Sequence, residues 1–455
     1  MGLTDKEGPP KVFVRSASGM VREISPLVAF VITTSALAIG IPANFGPVWV
    51  AAIYPGASFA GELTIALIPG LFIGILYILF TLTMPRSGGD YIFTSRVLSH
   101  PIGFMMNFVL TFWLIVFWAQ DASWFIVMMF SPALAGLGLA MKNQALIEFA
   151  GAIATDPNTI YIGALVTRIA IILVLILGPR FTGRWLLGLF IIGMIGLISN
   201  FIVYATATPE SFKAAYEANF GPIAKSLEEA KKAGWSFQPI TIGATLASLP
   251  FAWLWYIGYH YSAYVAGEIK DIRRSMWISV LGCLIFGWLM YIIMDFLFYR
   301  VAPYELVQAM SYLFFFGPPE NGYFSILPTL PGTYMFAGIL SPHPILNLLI
   351  AIGQICWNFA FSTVVFMVII RNIFAWSFDR VIPIALSDIN RRFKSPLKAS
   401  VIVFIAAIVF LTLYIYVPGI FALILNFLLG ASIAFIIPGI AGIVFPWRRK
   451  DLYEA

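Results

Sequence analysis

The sequence predicts an all-α polytopic membrane protein in which two sets of five transmembrane helices repeat in opposite orientation. Three observations support this fold class: the overall composition, ten long apolar runs, and the uneven placement of Lys and Arg. Of the 455 residues, 60% are hydrophobic and only 11% are charged. A soluble protein of this length would expose large apolar patches, whereas a bilayer solvates such a surface.

Ten apolar runs have about the 20-residue length that a helix needs to cross a bilayer. We number them spans 1 to 10, and they lie at residues 25–46, 63–84, 103–130, 160–178, 184–206, 240–263, 276–300, 343–371, 398–416 and 419–445. Helices are predicted because backbone N–H and C=O groups in lipid must be satisfied within the segment. The spans divide into five and five, and an odd number in each half forces the halves into opposite orientations.

The Lys and Arg residues indicate how the chain is oriented. With the N-terminus placed in the cytoplasm, the inner segments hold 20 of the 27 Lys and Arg residues and the outer segments hold 6, while Arg168 alone falls within a span. Such an excess is typical of cytoplasmic loops, which face an anionic leaflet. The net charge of +6 therefore does not indicate a nucleic-acid partner. We expect a multi-pass plasma-membrane protein with both termini in the cytoplasm.

The predicted domain boundaries follow the spans. They are a cytoplasmic N-terminal segment (1–24), a first set of five helices (25–206), an extracellular loop (207–239), a second set of five helices (240–445) and a cytoplasmic tail (446–455). The inner segments 84–103 and 371–396 are amphipathic and are predicted to lie on the membrane surface or to fold back into the protein. Cys283 and Cys356 lie in apolar runs and are predicted to be free, packed thiols. No metal ion or cofactor is predicted.

Spans 1 and 6 carry helix-breaking residues at matching positions of the two halves, AIGIPANFGP and YIGYHY. Matched Gly/Pro interruptions are typical of a secondary transporter's binding site, because unwound backbone turns its N–H and C=O groups toward a cavity. A half-helix N-terminus favours a carboxylate, and free carbonyls favour an ammonium group or a cation. The predicted substrate-binding residues are Ile39, Gly40, Ile41, Pro42, Trp255, Tyr256, Ile257, Gly258 and Tyr259. A simple packing kink is the alternative.

His260 is the predicted gating or proton-sensing residue, since a histidine near the bilayer centre titrates near neutrality. Helical spacing of three to four residues places it on one face with Trp253, Tyr256 and Tyr264. The alternative is a neutral histidine that is hydrogen-bonded to a backbone carbonyl at the break.

Span 3 carries a face of Trp113, Phe117, Gln120, Asp121 and Trp124. This face is predicted to form an apolar cavity wall with Gln120 as a polar contact for the substrate, and an aromatic packing stripe is the alternative. A bare carboxylate in lipid is costly. Asp121 is therefore predicted to act in gating or proton coupling, or to form a structural ion pair with Arg168, and pairing is favoured.

Three motifs resemble those of the amino acid–polyamine–organocation (APC) family of permeases. MPRSGGDYIFTSRVLSHPIGF resembles the family's loop between helices 2 and 3, YIGYHYSAYVAGEIKDIRRS its helix 6 and following charged loop, and RNIFAWSFDRVIP its segment after helix 8. The resemblance implies the LeuT-type inverted-repeat fold, transport of amino acids or related amines, and coupling to H⁺ or Na⁺. It also implies a sodium site at Ser362 and Thr363, because helix 8 hydroxyls bind Na⁺ in sodium-coupled relatives. Bonding of these hydroxyls within their own helix is the alternative.

The chain departs from the family pattern at four places. Ala38-Ile39-Gly40-Ile41 stands where the family usually has Gly-x-Gly-Ile, and His260 stands where several members carry a gating acid. Span 5 has no counterpart of the basic residue that serves proton coupling in some members. The family commonly has two further helices after the tenth.

We therefore expect a secondary active transporter that moves an amino acid or related amine by alternating access, coupled to H⁺ or Na⁺ or working by exchange. The aromatic lining and the lack of a buried acidic cluster favour a neutral, apolar substrate. An inner gate is expected from Arg86, Asp90, Arg96, Glu268, Lys270, Asp271, Arg371, Asp379 and Arg380, and ordinary solvated charges are the alternative. A non-transporting amino acid sensor of the same fold, a channel and a membrane enzyme are the alternative functions. The sequence shows neither a pore-loop signature nor a metal or nucleophile constellation.

Overall fold

The computed structural model describes residues 22–317, 326–390, 395–417 and 427–454. Within these ranges the chain is helical, and its only β-type pairing is an isolated backbone bridge between Ile24 and Ile269. The predicted all-α fold class is confirmed. The first part of span 10 and most of the predicted N-terminal segment lie outside the described residues.

The helices of the first half start where the sequence supplies caps. They are α1 (Pro26–Leu37), α2 (Gly40–Ile53), α3 (Phe59–Thr83), α4 (Gly89–Val97), α5 (His100–Trp124), α6 (Ser131–Met141), α7 (Gln144–Thr155), α8 (Pro157–Ile176) and α9 (Pro179–Thr206). The hydroxyls of Ser25, Ser58 and Ser99 accept backbone N–H groups at the starts of α1, α3 and α5. Such caps satisfy N–H groups that have no partner within the helix. A π-helical turn, Phe125–Phe130, joins α5 to α6.

The helices of the second half are shorter and more often interrupted. Its helices are α10 (Pro209–Phe220), α11 (Ile223–Lys232), α12 (Ile242–Ala247), α13 (Leu249–Tyr256), α14 (Ile272–Met276), α15 (Cys283–Val301), α16 (Tyr304–Phe316), α17 (Thr333–Leu340), α18 (Pro344–Phe378), α19 (Leu397–Tyr416), α20 (Phe427–Arg448) and α21 (Lys450–Tyr453). Tyr261–Glu268 forms a 3₁₀ helix, and the π-helical turn Trp277–Gly282 joins α14 to α15.

Eight helical segments among the described residues are long and apolar enough to cross a membrane. These segments are α1–α2, α3, α5–α6, α8, α9, α14–α15, α18 and α19, and they correspond to predicted spans 1 to 5 and 7 to 9. Predicted span 6 is divided among α12, α13 and the first turn of the 3₁₀ helix. Predicted span 10 corresponds to α20, so its later part is helical as expected.

Helix α18 lies at the centre of the bundle and packs along α9. A Cβ added to Gly196 of α9 would lie 2.7 Å from the Cα of Gly353 in α18. Glycine at both positions lets the two helix backbones come into contact. Small residues at such positions commonly allow helices to pack closely in membranes. The segment 84–103 also enters the bundle, because residues 89–95 of α4 are buried. Of the two predictions for this segment, folding back into the protein is the correct one.

At one end of the bundle, backbone hydrogen bonds and an ion pair connect the start of α1, the 3₁₀ helix, α4 and the end of α18. The Ile24 N–H donates to the Glu268 carbonyl at 3.0 Å, and the Lys270 N–H donates to the Ile24 carbonyl at 3.0 Å. Arg96 of α4 lies 3.7 Å from Asp379, which follows α18. We call this end the N-terminal side. Helices α10, α11, α16 and α17 pack together with the end of α2 at the opposite side.

The first helix break lies two residues earlier than predicted. Helix α1 ends at Leu37, Ala38 adopts a left-handed conformation with φ 48°, and α2 begins at Gly40. Within AIGIPANFGP, Gly40 and Pro42 were taken as the helix-breaking residues, and this is wrong, because residues 40–42 form the first turn of α2. A proline is tolerated there, since the first-turn N–H has no helical partner. Gly40 is needed for packing, since its Cβ would lie 2.1 Å from the Trp357 ring.

The second break lies where it was predicted. Helix α13 ends at Tyr256, Ile257 is extended with ψ 131°, and Gly258 has φ 98°. A Cβ on Gly258 would lie 2.7 Å from the Ala36 Cβ, so the two breaks pack against each other. The predicted helical face of Trp253, Tyr256, His260 and Tyr264 is wrong, because the α-helix stops before His260 and the 3₁₀ helix that follows has a different period.

Candidate functional site

A cavity lies between the two breaks. Ala38, Ile41 and Pro42 line it on the α1–α2 side, and Trp255 and Ile257 line it on the α13 side. The opposite wall comes from α5 and α18, with Phe117, Asp121, Trp124 and Phe361. The space between these side chains is about 480 Å³, part of it open. An apolar hollow with few polar groups is typical of a small-molecule site.

Aromatic rings close the cavity toward the side opposite the N-terminus. The ring of Trp49 in α2 lies 4.9 Å from Trp124, 5.7 Å from Trp255 and 5.2 Å from Phe251. Phe315 of α16 stacks on Trp49 with an interplanar angle of 4°. We call these five rings the aromatic lid. Aromatic contacts of this kind hold helices together without hydrogen bonds or ion pairs. When the rings separate, no buried polar group is therefore left without a partner.

Only part of the predicted substrate-binding set lines this cavity. Ile41, Pro42, Trp255 and Ile257 do, whereas Ile39, Gly40, Gln120, Tyr256, Gly258 and Tyr259 lie behind its wall. Asp121, which was predicted for gating or proton coupling, also lines the cavity. The hydroxyls of Tyr256 and Tyr259 donate to carbonyls of α3, those of Leu63 and Gly70, both at 2.9 Å. These two tyrosines therefore anchor the second break to α3, and their contact with a substrate stays a prediction.

Asp121 and Arg168 form the predicted ion pair, with a nitrogen–oxygen distance of 2.8 Å. Both side chains are buried, and the guanidinium also donates to the Trp118 carbonyl at 2.8 and 3.0 Å. Asp121 accepts further hydrogen bonds from Ser362 at 2.7 Å and from Asn358 at 3.1 Å. The expectation of a pair is confirmed. Because each charge is neutralised and hydrogen-bonded, the arrangement favours the structural role of Asp121 over proton coupling.

The two hydroxyls of the predicted sodium site are already engaged. Ser362 accepts a hydrogen bond from Arg168 at 2.8 Å, and Thr363 donates to the Phe359 carbonyl of its own helix at 2.7 Å. A guanidinium beside Ser362 disfavours a second cation there. The sodium site stays a prediction, with the Ser362 contact arguing against it.

His260 is buried among aromatic rings next to the second break. Its ring centroid lies 4.4 Å from that of Tyr77 in α3 and 5.3 Å from that of Phe435 in α20. Its Nδ1 has no hydrogen-bonding partner, so the alternative of a histidine bonded to a carbonyl through this atom does not hold. The role of His260 in gating stays a prediction.

Two of the predicted inner-gate pairs form on the N-terminal side. Arg371 of α18 binds Glu268 through two hydrogen bonds, at 2.7 and 3.0 Å. Arg96 faces Asp379, which also accepts the Tyr91 hydroxyl at 3.1 Å. In the described part of the chain, the remaining members of the predicted set (Arg86, Asp90, Lys270, Asp271 and Arg380) are in none of the ion pairs.

Two buried acids, Glu62 and Asp295, received no role from the sequence, and a third, Asp90, was predicted only as a member of the inner gate. Glu62 of α3 is fully buried with neither carboxyl oxygen bonded, and Asp295 of α15 has one unbonded buried oxygen. Asp90 is buried as well. Individual carboxyl groups are therefore buried in this fold, whereas the expectation concerned a buried acidic cluster and stays a prediction. Glu62 directly precedes the apolar run of predicted span 2. A charged residue at such a border is usually solvated, so its burial was not predicted.

A buried amide network was also missed. Asn44 of α2 donates to Gln354 of α18 at 2.9 Å and accepts from Asn200 of α9 at 2.6 Å and from Thr333 of α17 at 2.8 Å. It fastens the half-helix beyond the first break to three neighbours. Polar residues within apolar spans were the available signal, but the partners of Asn44 lie 156 to 310 residues away from it in sequence.

The comparisons with known proteins agree with this geometry. A family model described as "Amino acid permease" matches residues 24–455. A comparison with curated proteins found no match. Among solved structures, the crystal structure of MhsT in complex with L-phenylalanine is similar to this chain, with 12% identity, a TM-score of 0.51, and coverage of 95% of this chain and 91% of that chain. The likeness concerns the fold and confirms the LeuT-type architecture; the opposite orientation of the two halves stays a prediction.

Proposed function

The chain belongs to the amino acid permease family, and from this membership we propose that it moves an amino acid with an uncharged, apolar side chain through the cavity between its two helix breaks. It is a multi-pass membrane protein and a secondary transporter of amino acids. The cavity is the observation that carries the proposal. Its one charged lining residue among those described is Asp121, and the Arg168 guanidinium neutralises that carboxylate.

The broken helices supply the polar groups that a zwitterionic substrate needs. Helix α2 points its N-terminus, at Gly40, toward the break, and the positive end of its dipole favours the substrate carboxylate. The side chain would lie against Phe117, Trp255 and Phe361. The bound L-phenylalanine of MhsT makes aromatic and aliphatic amino acids the first candidates.

Alternating access follows from the two closures of the cavity. We propose that the aromatic lid opens toward the outside and the Glu268–Arg371 pair toward the cytoplasm, with the N-terminal side cytoplasmic, as the Lys and Arg distribution predicts. The plasma membrane is the proposed location. H⁺, Na⁺ or a second amino acid is the proposed coupling partner.

Uptake by purified protein in proteoliposomes tests the proposal. We expect saturable uptake and counterflow of apolar amino acids, and a raised melting temperature in their presence by mass action.

Ile41→Trp fills the cavity, and uptake should fall about tenfold or more, since overpacking costs about 1–3 kcal/mol. Ile402→Trp on the exposed face of α19 is the matched control. Binding without flux would favour the sensor, and flux that does not saturate would favour the channel.

The Glu268–Arg371 pair gives a separate prediction about closure on the N-terminal side. Arg371→Gln leaves the buried Glu268 without its cation, so we expect uptake to fall by roughly tenfold or more, since losing one partner of a buried charge pair costs about 2–5 kcal/mol. Exchanging the two, Glu268→Arg with Arg371→Glu, should restore part of the uptake. Lys398→Gln breaks an exposed pair with Asp388 and should change nothing. Wild-type uptake by Arg371→Gln would contradict the assignment.

A further inference from the structure

Asp90 is a buried carboxylate, and among the residues that the structure describes no cation pairs with it. It lies in the first turn of α4, outside the eight long apolar helices, and is fully buried. Its Oδ1 accepts the Asn107 amide at 2.8 Å, and its Oδ2 has no partner in hydrogen-bonding geometry. None of the ion pairs among the described residues includes it. A buried charge without a counter-charge is costly, so the neutral, protonated form is favoured in this closed arrangement.

Two tyrosines face the open side of this carboxyl group. The hydroxyls of Tyr77, from α3, and Tyr264, from the 3₁₀ helix, lie toward Asp90. Both hydroxyls are buried, and neither completes a hydrogen bond by distance and angle. The ring of Tyr264 is fixed there, because a Cβ on Gly89 would lie 2.8 Å from it. Two unsatisfied hydroxyls beside an unsatisfied carboxyl oxygen form a site that a proton can enter and leave.

The groups around Asp90 supply neutral donors and no free positive charge. The titratable and charged side chains on the elements packed against α4, or directly beside their ends, are Glu62 and Tyr77 (α3), His260, Tyr261, Tyr264 and Glu268 (the 3₁₀ segment), His100 and Asp121 (α5), Cys356, Arg371 and Asp379 (α18), and Arg448 and Arg449 (α20), with Tyr91 and Arg96 on α4 itself. Arg371 is held by Glu268, Arg96 faces Asp379, and Arg448 and Arg449 donate to carbonyls at the end of α4. Burial raises the pKa of Asp90 to about 7, and the Tyr264 hydroxyl and the Asn107 amide, which face the carboxyl group, oppose the rise.

The site is connected to the second helix break. The ring of Tyr77 lies 4.4 Å from that of His260, whose Nδ1 has no partner. His260 follows Gly258 directly after the break, and Ile257 of the same break lines the cavity. Carboxyl, tyrosine hydroxyl and imidazole thus form a line from the N-terminal side to the cavity wall. Movement of the break would change the water access of all three.

We infer that Asp90 is the proton-binding carboxyl that couples amino acid transport to H⁺, with Tyr77, Tyr264 and His260 as positioning residues. The inference rests on the proposed function. The chemistry is one O–H bond: Asp90 takes up a proton from water when the site is open to one side and releases it to water on the other. Asp121 is less suited to this role because Arg168 neutralises it, and the long helix α9 carries no Lys or Arg after Arg184.

Proton movement in proteoliposomes that enclose a pH-sensitive dye tests the inference. An equimolar mixture of the 20 common L-amino acids is added outside, and the wild-type protein should acidify the interior as it takes up amino acid. In Asp90→Asn, proton movement should fall by about 100-fold, and so should the accumulation of amino acids driven by a pH gradient. This is the low end of the effect, about 100-fold, seen when a positioned proton-transfer group is removed. Counterflow exchange and stabilisation by the mixture should persist, because the cavity is untouched.

Three variants complete the design. Asp388→Asn removes an exposed carboxyl on the N-terminal side and should behave as the wild type. Glu62→Gln removes another buried acid, and loss of proton movement in this variant with Asp90→Asn unaffected would overturn the inference. If Asp90→Asn does not fold, Asp90→Glu keeps the carboxyl and should keep proton movement with a shifted pH profile. An unshifted profile in Asp90→Glu would also overturn it.

The two proposals fail in different ways. Amino acid flux in the wild type without any proton movement would overturn the role of Asp90 and leave the proposed transport intact. Absence of saturable flux for every amino acid in the mixture would overturn both.

Discussion

Arg168→Met is expected to destabilise the protein by about 3–5 kcal/mol, because it leaves the Asp121 carboxylate buried without a counter-charge. The guanidinium now satisfies Asp121, Ser362 and the Trp118 carbonyl together. Without it, each of these buried groups loses a hydrogen-bond donor. Thermal unfolding of the detergent-purified protein should show a much lower midpoint, and the yield of folded protein should drop.

The double variant Asp121→Asn with Arg168→Met separates charge from packing. It removes both charges, so much of the stability should return, as replacement of whole buried ion pairs is often tolerated. Arg168→Lys should stay destabilised, because an ammonium group cannot reproduce the forked set of hydrogen bonds. Arg448→Met, at an exposed arginine of α20, is the control. An Arg168→Met variant that melts with the wild type would show that the pair adds nothing.

Gly258→Ala is expected to abolish most transport while leaving a folded protein. At φ 98° an L side chain is strained, at a cost of about 1–3 kcal/mol. The new Cβ would also lie 2.7 Å from the Ala36 Cβ and force the two breaks apart, adding about 1–3 kcal/mol of overpacking. Since both breaks frame the cavity, uptake in proteoliposomes should fall by about 100-fold.

Two matched variants show where that loss comes from. Gly243→Ala, in α12, adds the same methyl group where nothing lies within 4 Å and should transport normally. Adding Ala36→Gly to Gly258→Ala removes the clash but keeps the backbone strain, so only part of the transport should return. Equal transport by Gly258→Ala and Gly243→Ala would show that the break is not under steric constraint.

Several features of the fold could be predicted because they depend on the composition of short, contiguous stretches of the chain. Mean hydropathy over about 20 residues identified eight of the ten spans as long helices. The YIGYHY sequence placed the second break correctly, since glycine is the residue that tolerates positive φ. The Asp121–Arg168 pair was also predictable, because two opposite charges within apolar runs have few other partners.

The errors arose where a residue has two possible roles. Gly40 and Pro42 are helix breakers by propensity, yet they begin α2, because packing on Trp357 needs the glycine and a first turn accepts the proline. The sodium site at Ser362 stays a prediction, although the structure places this hydroxyl beside a guanidinium. Glu62, which directly precedes predicted span 2, was assigned no role, and the fold buries it.

The sequence by itself determined the membrane class, the positions of most spans, the existence of two breaks and the membership of the permease family. These properties are encoded in hydropathy, in Gly and Pro, and in contiguous motifs. Only the tertiary structure decided which polar groups meet: Asn107 with Asp90, Ser362 with Arg168, and Tyr77 with His260. The physical reason is that each partnership joins residues on separate helices, so it depends on helix rotation and crossing, which local composition does not fix.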